Sequence, residues 1–214
     1  MNVESPAVSR SAVIFDLDGV LIDSWQVAQR ALALALSEVG YPGEVSLEDF
    51  RALLGKPLPV ILRDLELPSA AEAAFNAHAM SLVAEVRPFP QVGNMLARLQ
   101  AASIAIGIVT GKARQRTVAI LDRTGLAPLI DALITPDDAP GKPDPRALWQ
   151  CLAALRTDDA LCFVGDTMID SQVARAAAIP AALATWGGGG PFNTNAWDFL
   201  FEEPDDVVRL VLGN

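Results

Sequence analysis

Two aspartates separated by one residue, in Asp16-Leu17-Asp18-Gly19, follow directly on the apolar run Ala12-Val13-Ile14-Phe15. A second acidic pair, Asp166 and Asp170, lies in Gly165-Asp166-Thr167-Met168-Ile169-Asp170, spaced as on the first turn of a helix. Between the pairs come Thr110, which ends the run Ser103–Thr110 and precedes Gly111, and Lys142 in Gly141-Lys142-Pro143. Acidic residues at strand ends can be plain turn formers. Their chemical use is a division of labour, one carboxylate as nucleophile and its neighbour as general acid and base. Oxygen ligands without histidine suit magnesium. A bound Mg²⁺ and Lys142 would neutralise phosphoryl oxygens while Thr110 donates a hydrogen bond and an aspartate attacks in line. The set describes a phosphoryl-transfer site.

The cations carry their own signal. Thirteen arginines stand against three lysines, Lys56, Lys112 and Lys142, and each lysine follows a glycine. Lysine is a compact point charge that arginine replaces poorly where geometry is tight, and a preceding glycine lets a loop close on an anion. Lys112 either meets a substrate phosphate through its loop or marks a helix start. His78, in an alanine-rich helical stretch, reads as a solvent-facing or packing residue, and Trp149, Cys151 and Cys162 read as packing residues.

Composition narrows the classes. In 214 residues, 51% are hydrophobic and 20% charged, enough to bury a core. A net charge of −10 opposes a nucleic-acid partner, and a single histidine opposes a Ser-His-Asp triad or a multi-histidine metal site. No apolar run reaches membrane-spanning length, and the start MNVESPAVSR lacks the pattern of a signal peptide. The two cysteines lie outside any zinc or CxxC spacing, as reduced thiols of a cytoplasmic protein would.

Five runs read as strands buried on both faces: 12–15, 103–110, 131–135, 160–164 and, more weakly, 181–185. Helical patterns at 93–102 and 114–124, the second placing Val118, Ile120 and Leu121 on one face before Gly125, alternate with them. That alternation predicts an α/β fold, a doubly wound Rossmann-like parallel sheet. Asp16, Thr110, Lys142 and Asp166 then all fall at the carboxyl edge of the sheet, where such folds bind ligands. The stretch 24–87 has no strand pattern. It reads as an inserted helical unit with helices at 25–39, at 46–54 capped by Ser46, and from a capping box Ser69-Ala70-Ala71-Glu72 to about Val86. The boundaries expected are 1–22 and 91–214 for the core and 23–90 for the cap. The run Gly187–Gly190 reads as a mobile loop.

FDLDGVLIDS (15–24), IVTGK (108–112), GKPDP (141–145) and VGDTMID (164–170) resemble, in order, the four motifs of the haloacid dehalogenase superfamily, and the resemblance spans essentially the whole chain. The helical insertion is similar to the cap of the subgroup (subfamily I) that holds phosphoglycolate phosphatases and β-phosphoglucomutase. The cap and the WG after the last strand look most like the phosphoglycolate-phosphatase type, with a further likeness to phosphatases of aminohydroxybenzoate antibiotic clusters. Phe89-Pro90-Gln91-Val92 departs from the family pattern, which has glycine instead of Gln91, and this touches the cap hinge rather than the chemistry.

The resemblance implies a Mg²⁺-dependent phosphatase acting on a small phosphorylated metabolite through an aspartyl-phosphate. Asp16 would be the nucleophile, and Asp18 would protonate the leaving oxygen and then activate water. Thr110, Gly111 and Lys142 would hold the phosphoryl group. Asp16, the backbone carbonyl of Asp18, and Asp166 would hold magnesium, and Asp170 would orient Lys142 or a metal-bound water. Lys56, the one cap lysine, would contact the substrate remote from the phosphate. Asp18 opposes a dehalogenase, whose halide leaves without a proton, and likewise a phosphonate hydrolase. A β-phosphoglucomutase-like mutase shares all four motifs and stays open, and a non-catalytic regulatory module on the same fold is a further alternative. The expected partner is a small phosphate ester, with no nucleic acid or membrane, for a monomer or homodimer.

Overall fold

The structure, a computed structural model, describes residues 10–188 and 193–213. From β1 (Ala12–Phe15) the chain passes through β2 (Ile22–Asp23) into α1 (Trp25–Glu38), α2 (Leu47–Leu53), α3 (Leu58–Asp64) and α4 (Ala71–Ser81), and returns through β3 (Arg87–Pro88). Then follow α5 (Val92–Ala101), β4 (Ala105–Val109), α6 (Arg114–Thr124), β5 (Ala132–Ile134), α7 (Arg146–Leu155), β6 (Ala160–Gly165), α8 (Met168–Ala176), β7 (Ala181–Ala184), β8 (Phe199–Phe201) and α9 (Pro204–Leu212).

β1 is buried on both faces because every one of its side chains is apolar. Val13 and Phe15 pack with α5, α6 and α9, and Ile14 packs on the opposite face with α7 and α8, as the two-residue period of a strand requires. The six-stranded sheet has the order β5-β4-β1-β6-β7-β8, with every pairing parallel. The chain leaves β1 toward β4 and β5, then crosses back to β6, so β1 lies at the switch between the two directions of winding. The five strand runs became β1, β4, β5, β6 and β7. β8 is a further edge strand outside those runs, because its three residues are too few to show a period.

The helical insertion has a core of its own. Phe50 is wholly buried between Trp25 at 5.9 Å and Phe75, edge-on at 6.5 Å, among Leu32, Ile61 and Leu62. Its two links to the sheet pair with each other: β2 and β3 form a short antiparallel ribbon, and Phe89 N–H donates to Leu21 C=O beside it. Gln91, next in line, adopts φ +68°, the left-handed region that glycine enters freely. The departure at Gln91 thus falls where the backbone asks for glycine.

Local expectations are corrected at four points. Ser69 does not cap α4: Ala70 stands at its N-cap in helical backbone, and the Pro68 and Ser69 carbonyls take up the first free amides. α4 ends at Ser81 and continues only as a 3₁₀ turn, Val83–Glu85, with i to i+3 bonds. Val118 is exposed, and the inner face of α6 carries Arg116, Thr117, Ile120 and Leu121. Trp149 is half exposed, because the face of α7 that meets the sheet is Ala147, Leu148 and Cys151. Cys151 and Cys162 are free and buried, and burial pushes both thiols up to about 12. His78 pairs with Glu38 between α4 and α1. Among the described residues, no helix is long and apolar enough to cross a membrane. Of the glycine run, Gly189 and Gly190 lie outside the described residues.

Phe50→Ala removes the central ring of the helical unit and should cost about 3 kcal/mol or more in denaturant unfolding. A loss below about 1 kcal/mol would show that this cluster does not hold the unit together.

Candidate active site

Four loops at the carboxyl edge of the sheet bring the sequence-predicted residues together. Asp16 follows β1, Thr110 follows β4, Lys142 stands in the loop after β5, and Asp166 follows β6. Asp16 is 1% exposed, Lys142 2%, Thr110 4% and Asp170 0%. Burial of four such side chains at one edge is expensive unless each charge is met.

Lys142 meets two of them. Its ammonium lies 2.6 Å from Asp170 Oδ1, in a hydrogen bond, and 2.9 Å from Asp16 Oδ1. The contact with Asp16 is off the line of a hydrogen bond, so that oxygen is buried with no hydrogen-bond partner. The remaining oxygen of Asp170 accepts from Thr167 N–H and Thr167 Oγ1, closing the capping box of α8. Helix capping and lysine positioning therefore fall to one carboxylate. Although burial pulls its pKa down, Asp16 and Asp170 hold the Lys142 ammonium above its ordinary range.

Lys142 offsets only part of the cost of burying Asp16, and no cation pairs with Asp166 among the described residues. Burial, with Asp170 and Asp18 nearby, pushes Asp16 up to about 7 despite Lys142. Burial and the Asp170 and Asp16 charges raise Asp166 well above the carboxylate range. Asp16, Asp166 and Asp170 each offer an oxygen within 4.8 Å of the others, a set able to hold a metal ion. A buried carboxylate oxygen without a hydrogen bond, among mutually repelling buried and half-buried carboxylates, fits a hard divalent cation with oxygen ligands. Both oxygens of Asp170 are already engaged by Lys142 and Thr167, which leaves Asp16 and Asp166 as the available pair.

Asp18 faces the other way. Its Oδ1 accepts from Ser24 Oγ and lies 3.0 Å from Lys112 Nζ. Burial would raise its pKa, but Lys112, Ser24 and Arg116 hold it below the ordinary value. Lys112 thus pairs with Asp18 and stands just before the start of α6, as one of its two expectations had it.

The helical unit closes over this edge. A Cβ on Gly111 would lie 2.3 Å from the Gly55 carbonyl oxygen and 2.6 Å from that of Lys56, and one on Gly141 would lie 2.3 Å from Pro57 Cγ. Lys56 itself turns aside, with its ammonium 2.9 Å from Asp64 Oδ2. A cavity of about 290 Å³ opens beside Asp16, Asp18 and Asp166, walled by Trp25, Glu48, Arg51 and Phe89. Arg51 lies over the Trp25 ring and donates to Gly187 C=O. Sequence reasoning missed Arg51 and Arg116, because an arginine on an amphipathic helix reads as its solvent face.

Gly111→Ala should pry the 55–57 loop off the sheet edge, because a backbone oxygen cannot yield to the new methyl. Amide exchange of a peptide spanning 53–58 should accelerate several-fold while β1 and β4 stay protected. Unchanged exchange there would mean that the loop is not held by this contact.

Residues 13–184 match the family model described as haloacid dehalogenase-like hydrolase. The phosphoglycolate phosphatase of Cereibacter sphaeroides is 33% identical over 93% of this chain and 96% of its own length. That of Aquifex aeolicus is 29% identical over 93% and 95%. A hydrolase from Pseudomonas syringae superposes with a TM-score of 0.82 at 20% identity, covering 95% of this chain and 99% of its own, a likeness of fold. With the four motifs gathered at one edge and the match running through all of them, the chain belongs to the haloacid dehalogenase-like hydrolases and is a phosphatase among them, a phosphoric monoester hydrolase.

Proposed function

We propose that this phosphatase hydrolyses 2-phosphoglycolate or a phosphate monoester of similar size, with Mg²⁺ and an aspartyl-phosphate intermediate. The observation that carries the reading is the orphaned Oδ1 of buried Asp16, held beside Lys142 and next to the unpaired Asp166. A carboxylate kept without a hydrogen bond is available as a nucleophile. The relatives named phosphoglycolate phosphatase support the substrate class, and so does the tight seating of the 55–57 loop on Gly111 and Gly141. A β-phosphoglucomutase-like mutase is not favoured. We take 23–90 as a cap domain on a core of 1–22 and 91–214.

In this reading Asp16 attacks phosphorus in line, and the bond to the ester oxygen breaks. Asp18, when protonated, gives its proton to that oxygen. Ionised again, as Lys112 and Ser24 favour, it takes a proton from the water that cleaves the aspartyl-phosphate. Thr110, the Gly111 amide and Lys142 hold the phosphoryl oxygens, and Asp170 orients Lys142. Asp16, Asp166 and the Asp18 carbonyl would hold magnesium, which when bound neutralises phosphoryl charge. Lys56, tied to Asp64, reaches substrate only by giving up that ion pair.

Asp16→Asn should lower Mg²⁺-supported turnover of 2-phosphoglycolate at least about a thousandfold, read as phosphate release. Retention of most of the activity would end the nucleophile assignment.

Metal binding should also show in stability. Asp16 and Asp166 have raised folded pKa values, so the native state holds more protons than the unfolded chain above about pH 4. Without metal, stability attributable to Asp16 therefore falls as pH rises from its unfolded value toward about 7. Mg²⁺ needs both carboxylates ionised. Its stabilisation, read from thermal unfolding, should be larger at about pH 8 than at about pH 5.5, and about 2.7 kcal/mol where free Mg²⁺ stands at a hundredfold excess over Kd. An equal gain at both would remove Asp16 and Asp166 from the metal site.

A further inference from the structure

Arg116 is the second buried side chain, besides Asp16, with an orphaned polar atom among the described residues. It projects from the inner face of α6 and is 8% exposed. One guanidinium nitrogen donates to Asn76 Oδ1 of α4 at 3.2 Å, and the group lies 5.2 Å from the centroid of the Phe75 ring. Its buried Nε–H has no partner, and no carboxylate among the described residues forms an ion pair with it. Lys112, 3.0 Å from Asp18, borders the same small chamber of about 40 Å³, which the Gly55–Lys56 loop roofs. Asp18 is in contact with Lys112 and acts on Arg116 only through its longer-range charge. A buried cation with no carboxylate in contact is costly and persists where a ligand supplies its partner.

The chamber and the larger cavity meet at Asp18 and Ser24. A leaving group that starts at Asp18 can extend into either. The larger cavity presents Trp25 and Phe89 together with the acidic Glu48 and Asp23, and its Arg51 is engaged with Trp25 and Gly187. An anionic tail is therefore better met inside. The chamber has room for a group the size of a carboxylate.

We propose that Lys112 and Arg116 form a subsite for a carboxylate on the leaving group of the substrate, one carbon from the ester oxygen, with the Arg116 Nε–H as a donor to it. The subsite deepens the reading above, since it takes the Asp16 edge as the phosphoryl site. It selects short acidic esters: a tail longer than the chamber must turn outward and loses both cations.

The test is calorimetric binding of 2-phosphoglycolate and of ethyl phosphate, which has the same ester length without the carboxylate, to protein carrying Asp16→Asn so that nothing turns over. Added Arg116→Gln should cut the preference for 2-phosphoglycolate over ethyl phosphate about tenfold or more, the size of one lost charged hydrogen bond. Arg116→Lys, which keeps the charge, should recover part of it. A separate variant, Asn76→Asp, leaves Arg116 in place and gives it an internal carboxylate, so it should lower the same preference without emptying the chamber. A preference ratio that neither Arg116→Gln nor Asn76→Asp alters overturns the subsite. Should Arg116→Gln not fold, the Asn76→Asp ratio decides by itself. Wild-type turnover of 2-phosphoglycolate is a separate readout that decides the substrate named above.

Discussion

The Lys142 ammonium, buried between Asp16 and Asp170, is the interaction on which the rest of the site depends. It sits at the end of a loop that has no regular structure, 2% exposed, and two carboxylates fix it there. Those carboxylates come from neighbouring parts of the sheet edge, one after β1 at the switch and one on α8, which follows β6 beside it. Taking away the lysine would leave Asp16, Asp166 and Asp170 facing one another in a dry pocket, where Coulomb repulsion is least screened. Taking away Asp170 would loosen both the lysine and the start of α8, since the same side chain caps that helix. Positioning and folding are joined in one residue.

A second constraint is close approach. Glycines at 19, 111, 141 and 187 leave space that other parts of the chain use: Asp166 lies against Gly19, the Gly55 carbonyl against Gly111, Pro57 against Gly141, and the Gly19 carbonyl against Gly187. Two of these contacts, at Gly111 and Gly141, seat the cap loop 55–57 on loops of the sheet edge. The loop 55–57 can therefore exclude water from this edge with its backbone and the rigid Pro57 ring, which needs no long side chain to be ordered. The β2–β3 ribbon gives the cap a short two-stranded tether at the other side of the same opening.

The charges divide into two groups around Asp16. Toward β6 lie Asp166 and Asp170, an acidic excess that a hard cation would balance. Toward α6 lie Lys112 and Arg116, a cationic excess around Asp18. The resulting polarity is negative toward β6 and positive toward α6. It follows from which strand each loop leaves, because β6 and β4 flank β1 on opposite sides.

Much of this was legible in the residues alone. Apolar runs ending in Asp16, Thr110 and Asp166 specified a parallel sheet and the edge that bears the site, because strands buried on both faces leave no other pattern. Asp16, Asp18, Thr110, Lys142, Asp166 and Asp170 could be singled out because their types recur in four ordered motifs. What each of them touches was decided by the tertiary structure. Asp170 joining Lys142 to a helix cap, Asp18 turning to Lys112, and Lys56 turning to Asp64 all depend on side-chain directions that spacing does not encode. α6 makes the point most plainly: its pattern puts Val118, Ile120 and Leu121 on one face, yet the helix packs with Arg116 inward and Val118 exposed. Helical period gives the spacing of a face, and only the neighbouring cap, with Asn76, Phe75 and the chamber beside Asp18, determines which face is buried.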